Sequence, residues 1–306
     1  MAGSVRVLAV PGSQEPDVSI VIVSWRCPDL LRDCLDSLAR QDATAEIIVI
    51  DNDSGDETVP MLREHYPHVR LVASEENLGF GRANNLGFSM AGGRNVLALN
   101  PDTVVPPGAL DACLAHLESD PAIGVLSPKL VDREGRLDRR SKRGFPTFWS
   151  SICYFTGLDR VLTGRRSREY TAGWLGEDEV GEVVSVSGAF MLMPARVLRE
   201  VGGFDEQFFM YAEDMDLAIR VADAGYRVLY WPRVSVVHVG AGSNVAGRRP
   251  PAADAAYFRT MAPFIRKQRP GLRGRIFAGT VGVIAESMFA ASRLGALLGR
   301  RGKSAA

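Results

Sequence analysis

Through its first hundred residues the chain alternates between short β-branched apolar runs and segments with helical periodicity. "VSIVIVSW" (Val18–Trp25) precedes "PDLLRDCLDSLAR", in which Leu31, Cys34, Leu35 and Leu38 fall on one helical face. "EIIVIDND" (Glu46–Asp53) precedes a helical stretch from about Asp56 to His65. "VRLVAS" (Val69–Ser74) precedes another near Gly81–Met90, and "NVLALNPD" (Asn95–Asp102) follows. Apolar runs without polar alternation predict strands buried on both faces. Their alternation with helices predicts an α/β fold, a mostly parallel Rossmann-like sheet flanked by helices. Ligands of such sheets bind beyond the carboxyl ends of the strands. Asp51-Asn52-Asp53 and Asn100-Pro101-Asp102 both fall there, so position alone predicts a nucleotide-type site.

The 306 residues are 46% apolar, enough for one large domain with appendages and too many for general disorder. Lysine plus arginine balances aspartate plus glutamate, 36 to 36, so no bulk charge points to nucleic acid. Cys27, Cys34, Cys113 and Cys153 form no C-x-x-C pair, which predicts free thiols in a reducing cytosol. No charged start leads into a long apolar run, so a cytoplasmic location is expected. It would be peripheral on the inner membrane face if the tail binds lipid.

Residues 1–16 read as a flexible lead-in, 17–245 as the α/β domain and 246–306 as a helical C-terminal region. Between about 132 and 181 the rhythm lapses and nine arginines gather, Arg133, Arg136, Arg139, Arg140, Arg143, Arg160, Arg165, Arg166 and Arg168. A solvated insertion is the simplest reading, and a surface receiving a phosphorylated substrate is the alternative. In the tail, Phe277, Val281, Ile284, Met288 and Leu298 share one helical face, with Leu294 at its edge. Arg275, Glu286, Arg293 and Arg300 lie opposite. Charges inside the apolar stretch argue against a bilayer span. An amphipathic helix on a membrane surface and a helix packed on the core, or on a second copy in a homo-oligomer, fit equally.

Several motifs carry chemistry. In "IDNDSGDET", helix capping accounts for Ser54 and Asp56 but leaves Asp51 and Asn52 free to bond a base edge or ribose. "NLGFGRANNLGF" offers Gly79 and Gly81 but has Asn84 where a dinucleotide fingerprint needs glycine. Its glycines would instead let backbone approach a ligand, with Arg82 for a phosphate. "LNPDTVV" places one carboxylate, Asp102, beyond a strand, suited either to a turn or to a hard cation completed by substrate phosphate oxygens. His238, in "SVVHVG", is by default a satisfied buried histidine, and alternatively shares a Mn²⁺-like ion with Asp102. Glu213, Asp214 and Asp216 form either a helix start or a catalytic base near a metal.

Taken in order, "VSIVIVSW", "VIDNDSGD", "NLGFGRANN", "LNPDT", "SGAFMLMPA", "GGFDEQFFMYAEDMDLAIR" and "VHVG" resemble the inverting family 2 glycosyltransferases of GT-A fold. Within that family they are most similar to a bacterial rhamnosyltransferase-like branch. The likeness spans about residues 17–242, without the Arg-rich insertion and the tail. It implies nucleotide-sugar recognition by Asp51 and Asn52, with Ser24, Asp53, Arg82 and Asn100 alongside. Asp102 matches the last carboxylate of the metal-binding D-x-D, Asn100 replaces the first, and His238 matches a histidine that assists the metal. Asp214 matches the catalytic base, and Ser187, Gly188, Ala189 and Glu213 lie on the acceptor side. The implied cofactor is Mn²⁺ or Mg²⁺. The implied donor is dTDP-L-rhamnose, with UDP-sugars behind it, and the acceptor a polyprenyl-diphosphate-linked sugar or a cell-envelope glycan.

Two rivals stand beside this reading. A sugar-1-phosphate nucleotidyltransferase needs a Gly-rich basic loop after the first strand, and "SWRCPD" is not one. A catalytically silent sugar- or nucleotide-binding module is kept open by Asn100.

Overall fold

Every expected strand and helix of the first hundred residues is present in the computed structural model, which describes residues 15–240, 251–283, 286 and 287. β1 (Val18–Ser24) leads to α1 (Pro28–Leu38), β2 (Ala45–Asn52) to α2 (Thr58–His65) and β3 (Arg70–Ser74) to α3 (Gly79–Met90). β4 (Asn95–Leu99) ends in a turn, followed by the short β5 (Thr103–Val104) and α4 (Ala109–Ser119). β1 pairs in parallel with β2 and β4, and β2 with β3.

The second half of the chain extends this sheet. β6 (Ile123–Val131) is followed by the two-residue β7 (Lys142–Arg143), α5 (Phe148–Thr156), β8 (Gly181–Glu182) and β9 (Ser185–Val186). Then come β10 (Phe190–Pro194), α6 (Ala195–Val201), α7 (Glu213–Asp223) and β11 (Arg227–His238). β10 runs antiparallel between β4 and β6, while β6 and β11 are parallel. The strand order is β3-β2-β1-β4-β10-β6-β11-β5, with β8 paired to β11 and β7 to β9 in a small separate ladder.

The apolar runs explain the layers. Val18, Ile20 and Ile22 of β1 join one core with Leu31, Leu35 and Leu38 of α1, whereas Val21 joins the other with Ala83 of α3 and Leu217 of α7. Alternate residues of one strand thus bury in opposite directions, and helices cover both faces.

Residues 132–181 are in part core, not a solvated insertion. Ser141, Lys142 and Arg143 are buried, and β7 pairs with β9. Lys142 Nζ donates to the carbonyls of Ala172 and Leu175 at 3.0 and 2.5 Å. A two-residue strand has no readable periodicity, and charged side chains become buriable only where distant groups receive them.

Residues 207–212 and the described residues from Gly240 onward form a second compact unit. It contains α8 (Pro251–Gln268), where the Phe264 ring lies 6.3 Å from Phe208, and a helical stretch over 272–283. On the face expected to meet a membrane, Val281 is buried and Phe277 half-buried, whereas Leu272, Ile276 and Val283 are exposed. Up to 283 the expected apolar face is therefore turned inward. Ile284, Met288, Arg293, Leu294, Leu298 and Arg300 lie outside the described residues. No described helix is long and apolar enough to cross a membrane.

Gly93 sits where β1 begins, and a Cβ there would lie 2.7 Å from the Ser19 amide nitrogen and 2.8 Å from the Val18 carbonyl carbon. Gly93→Ala should lower unfolding free energy by roughly 2 kcal/mol, because backbone cannot yield as a side chain does. Urea titration of both proteins checks this.

Candidate active site

Parallel pairing brings the ends of β1, β2, β4 and β11 to one edge, and antiparallel β10 starts there. Three groups of side chains assemble along that edge.

The first lies at the ends of β1 and β2, where Ser24 and Asp51 are register partners and both are buried. Asp51 Oδ2 accepts the Ser54 N–H at 3.3 Å, while its buried Oδ1 has no partner among the described residues. A buried acceptor of this kind fits a ligand donor. Ser54 does not cap α2. Its hydroxyl accepts the Arg26 N–H at 3.0 Å and its carbonyl the Arg26 Nε–H at 3.1 Å, joining two loops. Asp56 accepts the Thr58 N–H instead. Asn52 is engaged within the chain: its amide donates to Asn77 Oδ1 and the Gly79 carbonyl, and its oxygen accepts the Leu78 N–H at 2.7 Å. It therefore clamps the loop before α3. Asp53 is exposed, and half-exposed Arg82 lies 3.9 and 3.8 Å from Glu76 and Glu206.

The second group forms around the turn after β4. The Thr103 hydroxyl donates to the Asn100 carbonyl at 2.7 Å, and the Asp102 carbonyl accepts the Val239 N–H at 2.9 Å. This places Asp102 Oδ1 3.4 Å from His238 Nε2, with Asn100 Nδ2 also 3.4 Å from that nitrogen. The other imidazole nitrogen, Nδ1, lies 2.8 Å from Asp138 Oδ2. Burial disfavours the imidazolium, but Asp102 and Asp138 outweigh it and hold the His238 pKa at about 9. Burial alone would raise the Asp138 carboxyl, yet His238 and Arg140 hold it well below the usual range. A carboxylate facing an imidazole whose far nitrogen is held by a second carboxylate suits a divalent cation of Mn²⁺ type. Among the described residues no third metal-binding side chain joins them, so phosphate oxygens and water would complete the shell.

The third group is centred on Asp214. Tyr211 and Ala212, both with φ near the left-handed region at 70° and 71°, immediately precede α7. Such conformations gather at functional sites, and Arg26 and Asp53 at the same sheet edge share them. Asp214 Oδ2 is ion-paired with buried Arg143 and accepts the Gly188 N–H at 3.1 Å. A Cβ on Gly188 would lie 3.2 Å from the Phe80 ring and 3.5 Å from Asp214 Cβ, so glycine is what allows this approach. The loop also joins the second group, since the Ala189 carbonyl accepts the Asn100 N–H at 3.1 Å, and it is tied to the insertion through the Ser187 N–H, which donates to the Ser141 carbonyl at 3.4 Å. Burial, with Asp214 adding repulsion, raises the Glu213 pKa from 4.5 to about 8, so the helix dipole does not govern this residue. Asp216, fully buried, holds Arg220, which donates to the carbonyls of Val201, Gly202 and Gly203. Its role is to tie the exit of α6 to α7.

Asp138 and Arg143 are the residues that sequence reasoning missed. Both lie where periodicity fails, and nothing distinguishes Arg143 from its eight neighbouring arginines.

Comparison with known proteins fits this geometry. The model of glycosyl transferase family 2 matches residues 19–181. An N-acetylglucosaminyl-diphospho-decaprenol L-rhamnosyltransferase of Mycobacterium tuberculosis is 31% identical, covering 74% of this chain and 76% of its own. The rhamnosyltransferase WbbL of Escherichia coli is 28% identical over 74% of this chain and 85% of its own. Among solved structures, the mannosyltransferase PcManGT of Pyrobaculum calidifontis, in complex with GDP-Man and Mn²⁺, superimposes with a TM-score of 0.58 at 20% identity, covering 96% and 81% of the two chains. The chain belongs to glycosyltransferase family 2 and has its GT-A architecture.

The raised pKa of Glu213 makes stability depend on pH. Between about 4.5 and about 8 the folded state binds one proton more than the unfolded state, so stability falls as pH rises through this window. Glu213→Gln should remove that slope and leave the variant more stable than the parent at pH 8.5, with the difference shrinking toward pH 4.5. Urea midpoints across this range measure it.

Proposed function

We propose that the protein transfers L-rhamnose from dTDP-rhamnose to a hydroxyl of a sugar carried on a polyprenyl diphosphate, with inversion at the anomeric carbon. The two rhamnosyltransferase relatives support the sugar, and the mycobacterial one supports the lipid-linked acceptor. The observation that carries the reading is the convergence, at one sheet edge, of an open acceptor on Asp51, the Asp102–His238 pair and Asp214.

Asp51 Oδ1, buried and without a partner among the described residues, would accept the ring N–H of a thymine or uracil, a donor flanked by carbonyls. Ser24, its register partner on β1, lies beside it. Asp102 and His238 would hold Mn²⁺ or Mg²⁺ against the donor diphosphate once the ion displaces the proton from His238 Nε2, and Asp138 fixes the imidazole ring through Nδ1. The bound cation would neutralise charge developing on the leaving nucleoside diphosphate. Asp214 takes the proton of the acceptor hydroxyl while its oxygen bonds to the anomeric carbon and the carbon–phosphate-oxygen bond breaks. One displacement inverts the centre, so one base suffices. Arg143 and the Gly188 N–H position the Asp214 carboxylate, and Glu213, protonated at neutral pH, adds no charge beside it.

Asp214→Asn should abolish transfer while leaving donor affinity within about twofold, because the amide keeps the shape but cannot take the proton. Retained turnover would remove Asp214 as the base. Asp102→Ala should weaken metal-dependent donor binding at least tenfold, and Asp51→Ala should cost about 1 kcal/mol for thymidine and uridine donors, the worth of one hydrogen bond. Calorimetry with dTDP-rhamnose, UDP-glucose, UDP-galactofuranose and GDP-mannose, with and without Mn²⁺, tests the donor. Tight binding of GDP-mannose alone would overturn the thymine assignment. Binding of a donor without turnover in the presence of acceptor would favour a silent binding module.

A further inference from the structure

The segment from Thr147 to Tyr170 buries several polar side chains while exposing large apolar ones. Three of its polar residues, Ser150, Asp159 and Ser167, are buried. Thr147 and Ser150 close a reciprocal cap at the start of α5. Asp159 is ion-paired with Arg139, and its carbonyl accepts the Arg168 Nε–H at 3.0 Å. The Ser167 hydroxyl bonds back to the carbonyls of Leu162 and Gly164 at 3.0 and 2.7 Å. The loop is thus tightly held, and exposure of its remaining side chains does not come from slack.

What this frame presents to solvent is apolar and basic. Phe148 and Trp149 are each 47% exposed at the start of α5, and Val161 is 76% exposed, with Leu158 and Leu162 beside it in sequence. Arg160, Arg165 and Arg166 are exposed among them. Trp149 and Arg166 line one cleft of about 510 Å³ with Thr147 and Glu169, so the aromatic start of α5 and the basic turn meet in space. From 147 to 170 four arginines oppose Asp159 and Glu169, a net charge of +2 (4 − 2) in a chain whose overall charge is zero. Large apolar side chains, tryptophan included, interleaved with arginines match the boundary between headgroups and acyl chains of an anionic bilayer. A protein partner would need no such local excess of positive charge. The segment is also continuous with the site, since β7, which precedes it directly, supplies Arg143 to Asp214.

We propose that residues 148–166 are a membrane-docking surface. Phe148, Trp149 and Val161 enter the interfacial region of an anionic lipid bilayer while Arg160, Arg165 and Arg166 contact lipid phosphates, bringing the Asp214 edge to the membrane plane. The proposal rests on the reading that the acceptor is carried by a lipid, and it assigns lipid contact to this insertion and not to the C-terminal tail.

Sedimentation with vesicles of phosphatidylglycerol and phosphatidylcholine, without donor or acceptor, tests it independently of transfer. The full chain should bind mixed vesicles and bind pure phosphatidylcholine far less. The triple variant F148S/W149S/V161S should lower vesicle affinity at least tenfold, and R165Q/R166Q should abolish the preference for anionic lipid. Both should keep donor affinity and unfolding midpoint, because the altered side chains are exposed and outside the donor site. Unchanged vesicle binding in both variants would overturn the proposal, as would binding lost only when residues 272–306 are deleted. So would vesicle-free self-association of the parent that the triple variant abolishes, since the face would then bind a second copy. Failure of the donor-binding experiments with vesicle binding intact would count against the transferase reading alone.

Discussion

Parallel pairing of β1 with β2 and β4 is the constraint on which the site depends. It forces successive strands to release their chains at the same edge, so the residues that follow each strand become neighbours however far apart they lie in sequence. Ser24, Asp51 and the Asn100–Asp102 turn meet there for this reason alone. β11, parallel to β6, delivers His238 to the same edge, and antiparallel β10 begins where the others end, which places Ser187–Ala189 among them. The interior of each strand supplies burial, and the polar side chains of the candidate site lie at or shortly beyond the strand ends.

Crowding carboxylates onto one buried edge creates an electrostatic problem, and the chain meets it with three different devices. Asp214 is matched by a guanidinium drawn from β7 and by a backbone amide. Asp102 and Asp138 share one imidazolium, with Arg140 as a second partner for Asp138. Glu213, which burial keeps from ionising despite the nearby Arg143, remains protonated near neutrality. Removing either partner of a buried pair leaves an uncompensated charge, which costs several kcal/mol. The Arg-rich insertion is therefore part of the site's charge balance, and its outer surface, freed of that task, carries the apolar side chains.

Much of the first half of this arrangement was legible in the sequence. β-branched runs such as Val18–Ser24 can be satisfied only as strands buried on both faces, and the polar residues at their ends mark the edge. The motif order from "VIDNDSGD" to "VHVG" singled out Asp102, Asp214 and His238, although nothing in their spacing brings them together. Local reasoning failed where a side chain's partner is remote. Ser54 reads as a helix cap but bonds across to Arg26, and Asn52 reads as a ligand contact but is engaged by Asn77, Leu78 and Gly79. In the tail, Val281 turns inward, because a helical wheel fixes which residues align and not what they align against.

The sequence by itself determined the α/β class, the strands and helices of the first hundred residues and the family, because periodicity and motif order are properties of the chain taken a few residues at a time. Only the tertiary structure decided which charges neutralise which. That Arg143 reaches Asp214, that Asp138 holds His238 and that Asp159 is buried against Arg139 each depend on contacts between distant segments. Burial makes such contacts strong, and sequence separation hides them. The same arginine is a solvated surface charge or a buried counterion according to where the sheet carries it, and no local pattern distinguishes the two.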